Sequence, residues 1–199
     1  RLDVDEVANL LDLVEKGEGL TDTQKKYHKY TKRRDLALLT LFLGTGIRIS
    51  ECVGLNITDF DFKANRFKVT RKGGNEEFLY FSEEVRKALE DYLEERKQIE
   101  PLPGHEDAFF LSMQKKRLSH RAIQNLVKKY SRIVNPLKNI SPHKLRSTYG
   151  TALCQETGDI YLVADVLGHK DVNTTRKHYA AISEDKRRMA ARVIKLRDE

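Results

Sequence analysis

The chain has 199 residues, 39% of them hydrophobic and 34% charged, with 37 Lys and Arg against 30 Asp and Glu and a formal charge of +7. That length can bury a core in one large or two small domains, and the positive balance favours a polyanion as partner, nucleic acid before an acidic membrane surface. No stretch approaches the roughly 18 apolar residues of a membrane span, and no apolar run at the start reads as a signal peptide, so a cytoplasmic protein with no membrane partner is expected.

Residues 3–15 place Val4, Val7, Leu10, Leu11 and Val14 at helical spacing, and Gly17 and Gly19 end the pattern. Residues 21–34, TDTQKKYHKYTKRR, read as a polar, basic surface segment ahead of a buried helix over 35–46, DLALLTLFLGTG. Ser50 is the expected N-cap of a short helix in IRISECVGL. The period then shortens: DFDF, RFKVT and EFLYF, separated by KAN and RKGGN, predict a three-stranded antiparallel meander with a Gly-Gly turn. A helix over 82–98 starts on Ser82, and AFFLS, 108–112, suggests one more short strand. Beyond Ser119 the pattern is helical over about 119–134, 142–156, 159–167, 172–180 and 184–196. The two cysteines, Cys52 and Cys154, fall in apolar helical patterns and read as buried thiols. The fold class is mostly α with a small three-stranded antiparallel β-sheet. The opening RLDVDEV, without Met, reads as the start of a fragment.

Four stretches carry chemistry. In SPHKLRST, 141–148, Ser141 can cap a helix whose first position is Pro142. His143 and Arg146 then project together from the positive helix end, while Leu145, Tyr149, Ala152 and Leu153 form the core stripe. In TGIRISE, Arg48 lies between a glycine turn and a helix cap, where a loop can aim its guanidinium at phosphate oxygens. In RKGGN, Lys72 stands at a turn tip, a position suited to swinging over a ligand. In VLGHKDVNTTRKHYA, Gly168 closes a helix, His169 follows the turn, and Tyr179 ends a short polar segment. Each stretch alone fits an ordinary solvated or structural side chain.

In order, Arg48, Lys72, His143, Arg146, His169 and Tyr179 form a series that resembles the tyrosine recombinase family, the integrases and Xer-type recombinases. The likeness spans about Arg34 to Tyr179. Two positions depart from the family pattern: Glu76 and Glu77 stand where many relatives carry basic residues, and Ser147 where His is frequent. The resemblance implies a tyrosine recombinase catalytic domain over 1–182 and a C-terminal helix, 183–199, that can pass between protomers. It also implies a preceding core-binding domain that closes a clamp on DNA. The activity implied is site-specific cleavage and rejoining of double-stranded DNA through a 3′-phosphotyrosine, without metal, ATP or cofactor, in a tetrameric synapse.

In that reading Arg48, Arg146 and His169 neutralise the phosphate, His143 takes the proton of the Tyr179 nucleophile, and Lys72 protonates the leaving 5′-oxygen. Tyr149 is the rival nucleophile, but its place in the apolar stripe assigns it to the core. A phosphodiesterase using both histidines, a type IB topoisomerase and a DNA-binding module without activity are the competing readings. On the helix over 119–134, Arg121, Gln124, Lys128 and Arg132 share a face that can lie on DNA.

Overall fold

The computed structural model describes residues 1–168 and 184–198. Helix α1, Val4–Lys16, opens on a reciprocal cap: Asp3 accepts the Glu6 amide at 2.8 Å and Glu6 accepts the Asp3 amide at 3.1 Å. Val7, Leu10, Leu11 and Val14 are buried as their spacing predicts.

Helix α2 corrects the sequence reading. It runs unbroken over Asp22–Thr45, so the expected surface segment 21–34 is in fact largely its first half. Thr21 and Gln24 form a second reciprocal cap. That half shows no apolar period because the side chains it buries are His28, Thr31 and Asp35. Two of them reach partners on other helices. His28 Nε2 lies 2.6 Å from the Val14 carbonyl, and Asp35 accepts the Tyr130 hydroxyl at 2.5 Å. The second half, Ala37–Thr45, is wholly buried, as expected. Truncating one of its leucines, such as Leu39, to Ala would cost about 2–5 kcal/mol.

Gly46 ends α2 in the left-handed region, φ 70°, and a Cβ there would lie 2.6 Å from the Tyr149 ring. Glycine is required twice over, by backbone and by space. Helix α3, Ile49–Val53, follows, and its N-cap is Arg48 rather than the predicted Ser50. The reason is Glu51, whose Oε1 reaches back to accept the Arg48 amide at 3.0 Å.

A 3₁₀ turn, Ile57–Asp59, leads into β1, Phe60–Asp61; β2, Arg66–Thr70; and β3, Glu76–Tyr80. The sheet is antiparallel in the order β1-β2-β3, with Phe67 opposite Leu79 and Thr70 opposite Glu76. The meander is the one predicted. AFFLS, however, makes no strand: it contributes only isolated bridges, Asn56 to Ala108 and Leu111 to Arg117. Its aromatic residues serve packing instead, with the Phe109 ring stacked on Phe60 at 4.3 Å between centroids.

Helices α4, Glu83–Arg96; α5, His120–Val134; α6, Pro142–Thr157; and α7, Ile160–Leu167, start on Ser82, Ser119, Ser141 and Asp159. Helix α2 is the hub, packed by α1, α4 and α6. Helix α8, Glu184–Val193, docks on α6, α7 and β3 of its own chain. There Arg187 grips Asp165 through two bonds of 2.6 and 2.9 Å. Cys52 is buried and Cys154 only partly so, and both are free thiols. The predicted helix over 172–180 lies outside the described residues. No described helix is long and apolar enough to cross a membrane.

Candidate active site

Ser141 caps α6 by accepting the Lys144 amide at 3.4 Å, and Pro142 occupies the first turn. Leu145, Tyr149 and Leu153 are buried, as the stripe predicts. His143 and Arg146 share a side of the helix but not an environment. His143 is exposed, whereas Arg146 is only 6% exposed. The Arg146 guanidinium donates to the Gly46 carbonyl at 2.5 Å and to the Leu167 carbonyl. One side chain thereby joins the start of α6, the α2–α3 turn and the end of α7.

Arg48, partly exposed on that α2–α3 turn, stands close enough to act on Arg146 electrostatically. The pKa of Arg146 falls from its usual range to about 10, first because it is buried, then because Arg48 and Arg71 repel it; Glu51 opposes the shift. The guanidinium groups of Arg71 and Arg146 therefore meet at the end of α7, with Arg48 near enough to Arg146 to repel it. A site that holds cations together against their repulsion is suited to an anion.

Lys72 is exposed in a tight turn. The turn is closed by the Gly74 amide donating to the Arg71 carbonyl at 3.0 Å and the Arg71 amide donating to the Asn75 carbonyl at 2.7 Å. The residue before Lys72, at the base of this turn, is by contrast buried. Arg71 is 5% exposed, and its Nη1 donates to the Leu167 carbonyl at 2.7 Å and its Nη2 to the Val166 carbonyl at 3.3 Å. Its Nε lies 3.0 Å from Glu77 Oε2 and its Nη1 3.8 Å from Glu51 Oε2.

The sequence reading does not single out Arg71, and Glu51 enters it only as a possible ion-pair partner of Arg48. A signal for Arg71 was present: Phe67 and Val69 are the inward residues of β2, and alternation carried two residues further turns Arg71 inward. Gly168 makes room for it. At φ 73° it caps α7, and a Cβ there would lie 1.8 Å from Arg71 Nη1. The acidic departures at 76 and 77 are absorbed within the hairpin, Glu76 by Lys68 at 2.9 Å and Glu77 by Arg71.

Arg48, Arg146 and the turn bearing Lys72 are thus drawn to one place, with His143 one helical turn before Arg146. His169 and Tyr179 lie outside the described residues. Tyr149 is 2% exposed, and burial pushes its phenol well above the ordinary range, as befits a core residue. On α5, Arg121, Gln124, Lys128 and Arg132 are all exposed.

The arrangement of helices around this sheet is the catalytic-domain fold of tyrosine recombinases. It superposes on the crystal structure of XerA recombinase with a TM-score of 0.72 and 25% identity, over 94% of this chain and 62% of that one. The XerH site-specific recombinase bound to its difH substrate gives 0.71 at 21% identity, over 92% and 52%, a likeness of fold. The chain belongs to the phage integrase family, whose model matches residues 1–186. It is 35% identical over 151 residues to tyrosine recombinase XerC of Thermodesulfovibrio yellowstonii, covering 74% of this chain and 50% of that protein. It is 31% identical over 188 residues to tyrosine recombinase XerS of Lactococcus lactis subsp. cremoris, covering 92% and 52%. The chain spans about half the length of these curated relatives.

Proposed function

We propose that this chain is the catalytic domain of a site-specific tyrosine recombinase acting on double-stranded DNA. The observation that carries the reading is the buried Arg146, fixed on the Gly46 and Leu167 carbonyls with Arg48 near enough to repel it, two cations held together at a cost that an anion would relieve. A scissile phosphate is such an anion. The arginines, with His169, offset the charge that grows on its non-bridging oxygens.

Tyr179 Oη attacks phosphorus, and the P–O5′ bond breaks as the 3′-phosphotyrosine forms. His143 takes the tyrosine proton and Lys72 gives one to the departing O5′. The covalent link retains the ester, so a 5′-hydroxyl of another strand can reverse the step without ATP or metal.

The names of the relatives support this class over a phosphodiesterase or a binding module. We assign the working form to a tetramer on DNA in the cytoplasm. Residues 1–182 are its catalytic domain, and the C-terminal segment 183–199 is the part exchanged between protomers. The Arg187–Asp165 pair holds α8 in cis and is the contact such an exchange would re-form in trans.

The test uses nicked duplexes carrying a site that this chain selects from a randomised library, in the presence of chelator. A denaturant-resistant protein–DNA adduct that is lost in Tyr179→Phe is expected. Soluble hydrolysis products without an adduct would instead indicate a phosphodiesterase, and binding alone a module without activity. Strand exchange between two sites, as opposed to relaxation of supercoils, separates recombinase from topoisomerase.

A further inference from the structure

Arg71 has no place in the chemistry above, yet it is the most heavily engaged side chain around the site. We infer that Arg71 is a positioning residue that ties the Lys72 turn to the C-terminal end of α7, so that the proton donor is held at the phosphate site rather than reaching it from a free loop. This inference rests on the recombinase reading of Lys72.

A guanidinium has five N–H groups and cannot lose its charge at neutral pH. In Arg71 one end faces the carbonyls of Leu167 and Val166 and the Nε edge faces Glu77. Arg71 is buried, and its Nε, which makes no hydrogen bond, is turned to Glu77 and closed to solvent, so the group is shut off from a ligand where Arg48 is partly exposed, which makes Arg71 a tether. Its anchor is also the anchor of Arg146, since both guanidinium groups donate to the Leu167 carbonyl. Arg71 and Lys72 are joined by one peptide bond at the base of a turn closed by two backbone hydrogen bonds. Fixing Arg71 therefore fixes where the Lys72 backbone stands relative to Arg146.

Space has been reserved for this contact. Any side chain at Gly168 would collide with the Arg71 guanidinium. Glu77, opposite in charge to what many family members carry there, supplies the balancing carboxylate at 3.0 Å. Arg117 provides a contrast: its guanidinium donates to the Val53 and Leu55 carbonyls and to Asn56 Oδ1, and not to the Leu167 carbonyl that Arg71 and Arg146 share.

The test compares two leaving groups in single-turnover adduct formation on the selected nicked duplex: the natural 5′-oxygen, and a bridging 5′-sulfur, which departs without a proton. General-acid catalysis contributes typically about 100-fold or more, so Lys72→Ala should be slowed by that order on oxygen and restored on sulfur. Arg71→Ala should show the same pattern at about 10–100-fold on oxygen, recover on sulfur, and keep its DNA affinity. Arg71→Lys should remain defective, because an ammonium cannot span two carbonyls and a carboxylate in one plane.

Equal loss on both leaving groups, or no loss, would overturn the inference. Failure of sulfur to restore Lys72→Ala would strike the acid role of Lys72 instead, and the tether is then judged by hydrogen exchange. Arg71→Ala should speed exchange at 71–75 and 166–168 together, and unchanged exchange there would overturn it. Should Arg71→Ala not fold, Arg71→Gln, which retains an amide donor for the Leu167 carbonyl, takes its place.

Discussion

Glu51 serves two arginines at once: its Oε1 accepts the Arg48 amide at 3.0 Å, while its Oε2 lies 3.8 Å from Arg71 Nη1. It is buried, 4% exposed, and Oε2 has no hydrogen bond of its own, so its charge is matched through space to the surrounding guanidinium groups. Removing one member of a buried charge set typically costs about 3–5 kcal/mol. Glu51→Ala should approach that loss in urea unfolding at pH 7. Glu51→Gln keeps the cap acceptor and should lose less. Both changes make the site more positive, so binding to random-sequence duplex at low salt should tighten as stability falls. Weaker binding in both would show that Glu51 acts chiefly by shaping the Arg48 turn.

Tyr149 and Tyr179 should separate cleanly in function. Tyr149 packs on Gly46 in the core with its phenol pushed up by burial, an unsuitable nucleophile. Tyr149→Phe should form the adduct at the parental rate, whereas Tyr149→Ala should cost about 3–5 kcal/mol of stability. Tyr179→Phe should form no adduct while binding DNA normally. An adduct lost in Tyr149→Phe and kept in Tyr179→Phe would reverse the assignment.

Acid should loosen the contact between the start of α1 and the loop before α6. The Lys138 ammonium, aided by Asn135, holds the Glu6 carboxyl at about 2 against its ordinary 4.5, with burial opposing. Because the folded value is the lower one, the unfolded chain takes up the proton first. The stabilisation is complete above about pH 4.5 and lost as pH falls toward about 2. Urea midpoints of the parent should drop through that window. In Glu6→Gln the midpoint should be lower at pH 7, and this part of the pH dependence should disappear.

The exposed face of α5 makes a salt-dependence prediction. If Arg121, Lys128 and Arg132 meet DNA phosphates, each Ala substitution should reduce the slope of log K against log salt by about 0.9, uniformly across sequences. Gln124→Ala should leave the slope alone. Slopes unchanged in all three charge variants would mark this face as solvent-facing on DNA.

Much of the fold was legible because apolar period and caps agree along the chain. Ser82 and Ser141 each start the helix they predict, and the aromatic alternation of 60–81 gives the meander directly. The first half of α2 was not legible, because it buries His28, Thr31 and Asp35, whose partners Val14 and Tyr130 lie on other helices. AFFLS misled in the opposite sense. Its rings are apolar enough for a strand but are used to pack against Phe60 and Tyr92.

The order of Arg48, Lys72, His143 and Arg146, with His169 and Tyr179 after them, belongs to the sequence alone, as does the composition that favours a polyanion. Tertiary structure decided what each side chain touches. It buried Arg146 while leaving His143 wet, drew Arg48 beside it, and placed Arg71, an unremarked neighbour of Lys72, on the same carbonyl as Arg146. The physical reason is range. Caps and alternation act between residues a few positions apart, whereas the Leu167 carbonyl is 96 positions from Arg71 and 21 from Arg146. Only the folded chain brings both donors to it.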